Sequence, residues 1–221
     1  RRRKTLVLEA RRLGVVPYDQ AVEMQAELVE RRRAGIIPDQ LLLLEHPHVI
    51  TLGGSSHAEH VLADETTRRR LGIQLVDTGR GGDVTYHGPG QLVGYPILDL
   101  KPDRRDAHRY LRDLEEVLIK ALRAFDLEGH GEEGLTGVWV GDRKIAAVGV
   151  RISSRWITSH GFALNVATDL SYFGTIVPCG LHDREVTSIS ERLGRPVEVS
   201  DAIDPVLLAV GEVFDREIRV V

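Results

Sequence analysis

Lys144-Ile145-Ala146-Ala147-Val148-Gly149-Val150 is an apolar run behind a single lysine, and it faces Val138-Trp139-Val140 across the turn Gly141-Asp142. Two apolar segments about a Gly-Asp turn predict a β-hairpin. A strand apolar at successive positions is covered on both faces. Leu41-Leu42-Leu43-Leu44 has the same character and predicts a central strand. Further strands are expected at Thr5 to Glu9, Val49 to Leu52, Gln74 to Asp77 and Leu92 to Leu98. Trp156 to Thr158 and Phe162 to Asn165 extend on either side of His160-Gly161.

Helices are expected between these strands. One starts at Tyr18-Asp19, turns Val22, Leu28 and Val29 inward and ends in Arg31-Arg32-Arg33 before Gly35. Asp64 to Leu71 predicts a short helix. Arg105 to Phe125 gives the clearest pattern, with Leu111, Leu114, Leu118, Ala121, Leu122 and Phe125 on one face. Gly129 to Gly134 reads as a loop, and Ser188 to Leu193 as a short helix. A final helix carries Leu207, Leu208, Val210, Val213 and Phe214, starting at Ser200 or at Asp204-Pro205. Without regular βα alternation, the expected fold class is α/β or α+β: a mixed β-sheet flanked by helices.

A chain of 221 residues suits one domain. Its 42% hydrophobic and 28% charged content argues against disorder and against a membrane protein. A net charge of −4 argues against a dedicated nucleic-acid binder. One cysteine excludes an internal disulfide and fits a reducing compartment, so a cytoplasmic protein is expected. Arg1-Arg2-Arg3-Lys4 lacks a following apolar region, so it predicts no secretory signal. A first residue other than Met points to an N-terminus trimmed or left out of the numbering. His46-Pro47-His48 and His57-Ala58-Glu59-His60 have no thiolate cluster beside them and fall in predicted surface turns, so no metal is expected. The arginines at 31–33, 68–70 and 104–105 read as solvated helix ends, with steering of an acidic protein partner as the weaker reading.

The candidate chemistry begins at Thr175-Ile176-Val177-Pro178-Cys179-Gly180. A lone cysteine is commonly an inert small hydrophobe. Between Pro178 and Gly180, in a stiff, tight piece of backbone, it suits a nucleophile. A thiol of pKa about 8.5 needs a base or a cation to act near neutrality. Lys144 stands between a turn and an apolar strand, where burial lowers a lysine pKa from about 10.4 toward a working base. Arg80-Gly81-Gly82-Asp83-Val84-Thr85-Tyr86-His87-Gly88-Pro89-Gly90-Gln91 is a second candidate. Its glycines bring main-chain N–H groups close to a ligand, although a plain connector between strands has the same composition. It lacks the pattern of a nucleotide-binding phosphate loop. His87 and His160 each precede a glycine, and either orients a ligand or simply holds a loop.

Arg80 through Gln91 and Leu92 resembles the glycine-rich signature of the lipoyl(octanoyl) transferases. Lys144 to Gly149, Ser159-His160-Gly161-Phe162-Ala163-Leu164-Asn165 and Ile176 to Gly180 are similar to the other motifs of that family, in the same order. The resemblance covers about Leu41 to Ser190 strongly and both ends more weakly. It implies a fold like that of lipoate and biotin protein ligases, with residues 1–221 as one catalytic domain. It implies a catalytic dyad of Cys179 and Lys144. Substrate contacts carry over to Arg80, Gly81, Gly82, Asp83, Val84, Thr85, Tyr86 and His87, to Ala147, Val148 and Gly149, and to His160, Gly161 and Phe162. The implied donor is octanoyl-acyl carrier protein. The implied acceptors are apo lipoyl domains of 2-oxoacid dehydrogenases and the glycine cleavage H protein. No cofactor is implied.

On that resemblance the Cys179 thiolate takes the octanoyl group as a thioester, and a lipoyl-domain lysine then takes it as an amide, without ATP. Lys144 moves the protons. Main-chain N–H groups near Cys179, with His87 as a further candidate, serve the oxyanion, each donor contributing about 3–4 kcal/mol. The octanoyl chain needs an apolar channel, at roughly 0.8 kcal/mol per buried methylene. The nearest rival is an ATP-dependent lipoate or biotin ligase of the same fold, which needs no thiol. A hydrolase or amidotransferase with the same dyad and a non-enzymatic binding module are the others. Two positions depart from the family pattern. Gly54 stands where a larger polar side chain is common, and Ser153-Ser154-Arg155-Trp156 is one residue longer.

Overall fold

The computed structural model describes residues 6–177 and 185–221, so Thr5 and Cys179 lie outside the described residues. Among the described residues the central layer is an eight-stranded mixed sheet. Its members are β1 (Leu6–Val15), β2 (Asp39–Glu45), β6 (Gln91–Ile97), β7 (Gly129–His130), β8 (Val138–Val140), β9 (Arg143–Ile152), β10 (Thr158–Asn165) and β11 (Arg216–Val220). They lie side by side in the order β11-β1-β2-β6-β10-β9-β8-β7. β1 runs parallel to both β11 and β2. From β2 onward every pairing is antiparallel. A separate three-stranded sheet, ordered β4-β3-β5, consists of β3 (Val49–Leu52), β4 (Gln74–Asp77) and β5 (Val84–His87).

The leucines of β2 show why the large sheet is covered on both sides. Successive strand side chains point to opposite faces. Leu41 and Leu43 join one apolar cluster with α3 (Ala107–Arg123) and α5 (Val199–Phe214), while Leu42 and Leu44 join another with α1 (Tyr18–Arg33). All four are at most 2% exposed, and burying each contributes about 1.5–3 kcal/mol. α3 is the expected amphipathic helix, capped by the Asp106 carboxylate accepting from Arg109 N. The short helices α2 (Glu65–Leu71) and α4 (Ile189–Leu193) are capped in the same way by Asp64 and Ser188. No helix among the described residues is long and apolar enough to cross a membrane.

Several expectations are corrected. The face that α1 buries is Tyr18, Ala21, Gln25 and Leu28, whereas Val22 is exposed. His46 is not in a surface turn: it is fully buried, its two ring nitrogens bonded to the Val16 carbonyl and the Tyr95 hydroxyl at 2.7 Å each. Arg104 is no solvated helix end, because it is buried against the Asp113 carboxylate and the Val213 carbonyl. The glycine-rich segment contains β5, and His160-Gly161 lies within β10 rather than between strands. α5 begins at Val199 and accommodates Pro205 in its second turn, where one main-chain donor is forfeited. The two-residue β7 and the edge strand β11 were not anticipated.

Candidate active site

Three of the four motif segments meet at one cleft. Residues 80–85 and 87, 147–149 and 160–162 line a cleft of about 490 Å3, joined by Tyr18, Tyr95 and Ala163. Tyr86 is the expected contact that this wall leaves out. A strand alternates its faces, and the buried Tyr86 ring packs in the small sheet's core, its hydroxyl 2.7 Å from His48 Nδ1 and its ring stacked on Tyr172.

Glycine at 149 and 81 has a steric reason. Gly81 N donates to the Val150 carbonyl at 2.9 Å, so the 80–82 segment lies directly on β9. A Cβ on Gly149 would come within 3.1 Å of the Gly81 carbonyl. Arg80 is 7% exposed and spends its guanidinium on the protein. Nη2 donates to the carbonyls of Thr51 and Asp83, both at 2.8 Å, and Nη1 to that of Gly81 at 2.9 Å. Arg80 therefore ties the glycine-rich segment to β3. The Asp83 carboxylate is bonded in turn to the His60 ring. The His60 carbonyl accepts from Val177 N at 2.8 Å. The glycine-rich loop is thus linked to Val177, the residue before Pro178.

Lys144, 6% exposed, lies in a smaller cavity of about 300 Å3. Thr85, Ala147 and Ala163 line both this cavity and the cleft, so the two spaces share a wall. Lys144 Nζ sits 5.4 Å from the Trp139 ring centre, over the ring face. Gly137, with φ +136°, closes on the lysine stem: a Cβ there would lie 2.6 Å from Lys144 Cε and 2.8 Å from the Ala146 carbonyl. The buried Glu115 carboxylate holds that glycine by accepting from Gly137 N at 2.9 Å.

A buried polar chain runs from the cleft to Lys144, and main-chain carbonyls fix its polarity. Asn165 Nδ2 donates to the Thr187 carbonyl at 3.1 Å, leaving Oδ1 to accept from Gln91 Nε2 at 3.0 Å. Gln91 Nε2 also donates to the Tyr86 carbonyl, so Gln91 Oε1 faces His87 Nδ1 at 2.7 Å and requires a proton there. His87 Nε2 is then an acceptor. Held this way, His87 has no N–H left for an oxyanion, which corrects that expectation. At the far end, Thr187 N donates to the Lys144 carbonyl, and Lys144 N to the Glu185 carbonyl.

The imidazoles near the cleft are kept neutral. Burial pushes His87 down to about 3, helped by the charge of His46 and opposed by the Gln91 bond. Burial likewise lowers His46 and His160 to about 4 each. Neutral rings beside Ala147, Val148, Phe162 and Ala163 make a cleft suited to an uncharged, largely apolar ligand.

The lipoyl protein ligase A/B catalytic domain matches residues 17–211 of this chain. The chain belongs to that family. Its relatives include the octanoyltransferase of Rubrobacter xylanophilus, 55% identical over 87% of this chain and 87% of that protein. The octanoyltransferase of Solibacter usitatus is 52% identical over 94% and 93% of the two chains. Among solved structures, the bipartite lipoate protein ligase from Thermoplasma acidophilum shares the fold, with a TM-score of 0.78 at 18% identity, covering 98% of this chain and 88% of that one.

The two segments expected to depart from the family pattern have a place in the fold of this lipoyl protein ligase A/B family member. Among the described residues a Cβ on Gly54 would meet only the Arg80 carbonyl, at 3.7 Å, so glycine here relieves no clash with them. Ser153 to Trp156 form the turn between β9 and β10, closed by Ser153 N donating to the Ile157 carbonyl, at the end of β9 remote from Lys144. Sequence reasoning missed Tyr18, Tyr95, His60, Glu115 and Gly137. Only Gly137 carried a signal, as a glycine directly before a strand.

Proposed function

We propose that this chain, an octanoyltransferase by family, moves an octanoyl group from octanoyl-acyl carrier protein through a Cys179 thioester to a lysine of apo lipoyl domains. The acceptors are the lipoyl domains of 2-oxoacid dehydrogenases and the glycine cleavage H protein, and residues 1–221 act as one cytoplasmic catalytic domain. The observation that carries this reading is the shared wall between the Lys144 cavity and the apolar cleft. A buried amine beside a cleft lined in part by neutral imidazoles and apolar side chains suits proton transfer next to a held acyl chain.

The reaction runs in two balanced steps. The Cys179 thiol gives its proton to Lys144, and its sulfur attacks the thioester carbonyl. The tetrahedral centre collapses, the carrier thiolate leaves, and Lys144 returns the proton to it. The lipoyl-domain amine then attacks the new thioester, gives a proton to Lys144, and the Cys179 thiolate departs. The first exchange trades one thioester for another. The second ends in the more stable amide, so no ATP is required. Glu185, on the far side of Cys179 in the chain, is bonded through its carbonyl to Lys144 N, which supports a cysteine working with this lysine.

Octanoyl-acyl carrier protein and an apo lipoyl domain, mixed with the enzyme without nucleotide, are expected to give an octanoyl-lysine amide, lost in Cys179→Ser. Transfer that demands ATP and survives the serine variant would replace this reading with the ligase one.

A further inference from the structure

His160 stands between two cavities. It lines the cleft on one side and, on the other, a second cavity of about 750 Å3 between α1 and the β9–β10 hairpin. Gln25, Arg151 and Ser159 lie on the second side only. The order of positions along β10 fixes which end of the cleft this is. Asn165 borders the Lys144 cavity, Ala163 borders both that cavity and the cleft, and Gly161 borders the cleft alone. β9 repeats the order, with Ala146 in the Lys144 cavity, Ala147 in both and Gly149 in the cleft alone. Hence His160 closes the end remote from Lys144.

We propose that His160 is the length gauge for the acyl chain: its ring stops the methyl end and separates the cleft from the empty space behind it. The proposal rests on the acyl-transfer reading above. The distance agrees. From Ala163 to His160 the strand advances about 10 Å at roughly 3.3 Å per residue. A zigzag of seven C–C bonds near 1.5 Å spans about 9 Å, the length of an octanoyl chain.

The backbone that carries the ring is tied down. His160 has φ +55°, an uncommon conformation for a residue with a side chain. Its main-chain N–H donates to the buried Gln25 Oε1 at 2.7 Å, which ties the strained residue to α1. Tyr95 meets the imidazole edge-on, with ring centres 6.2 Å apart.

The test compares octanoyl and dodecanoyl thioesters of pantetheine as donors to an apo lipoyl domain, using the full chain. Wild type is expected to favour octanoyl. His160→Gly, which accepts a positive φ, is expected to raise the dodecanoyl-to-octanoyl ratio of kcat/KM by about tenfold or more, the scale that a methylene commands in an apolar pocket. His160→Asn, which tolerates the same backbone, is expected to raise it by a smaller factor and keeps the test alive if the glycine variant does not fold. The ratio is independent of how much enzyme is active. An unchanged ratio in a folded variant overturns the gauge, as does a wild type that takes both chains equally. A wild type that transfers neither chain sinks the acyl-transfer reading itself.

Discussion

Gly137→Ala adds one carbon at the place where Lys144 has least room. Ordinary carbon–carbon contact needs about 3.5–4.0 Å, and the new Cβ would lie 2.6 Å from Lys144 Cε. Its other neighbour at 2.8 Å, the Ala146 carbonyl, belongs to β9, whose ladder with β8 and β10 holds it still. The lysine stem therefore retreats by about 1 Å, and a misplacement of that size costs roughly 100-fold in rate. The strained φ of +136° adds about 1–3 kcal/mol of instability. Gly134→Ala is the control: it too has a positive φ, +75°, but its Cβ would meet nothing within 4 Å among the described residues. The assay is single-turnover octanoyl transfer, with urea denaturation alongside. The control is expected to lose about 1 kcal/mol of stability and to transfer normally. A Gly137→Ala enzyme that is folded and transfers within threefold of wild type would refute the view that this glycine positions Lys144.

Acid should unfold the protein early. The folded pKa values of His46 and His160, about 4, and of His87, about 3, lie below the ordinary 6.5. Between those values the unfolded chain binds protons that the native one refuses, so stability is full above about pH 6.5 and falls as pH drops. Each ring removes about 2 kcal/mol between pH 7 and pH 5. Urea midpoints at the two pH values check this, and a flat profile would contradict the neutral cleft. Tyr86→Phe is expected to cost about 1 kcal/mol through the lost His48 bond and to leave octanoyl transfer within a few-fold. A collapse of kcat in that variant would return Tyr86 to the substrate side.

The large sheet was legible wherever burial writes itself into composition. Four leucines in a row fit only a strand covered twice, and the leucine stripe of α3 fits only one helix face. Segments whose side chains answer to different neighbours were harder. Val84 to His87 hides a strand inside glycine-rich surroundings, and its two-residue alternation is what sets Tyr86 apart from Thr85 and His87. His46 reads as polar and turn-like, yet two internal hydrogen bonds make its burial tolerable. Arg104 is likewise drawn in by Asp113 and a main-chain carbonyl, partners distant in sequence. Gly137 is marked in the sequence only as a glycine before a strand, because its reason, the lysine stem packed against it, lies seven residues on. β11 is a charged edge strand whose placement comes from parallel pairing with β1, not from its own pattern.

The most direct measurement is the intact mass of the protein after brief incubation with octanoyl-acyl carrier protein and no acceptor. The account predicts one octanoyl adduct, removable by hydroxylamine and absent from Cys179→Ser. A wild type that stays unmodified while still transferring the chain to lipoyl domains would contradict it.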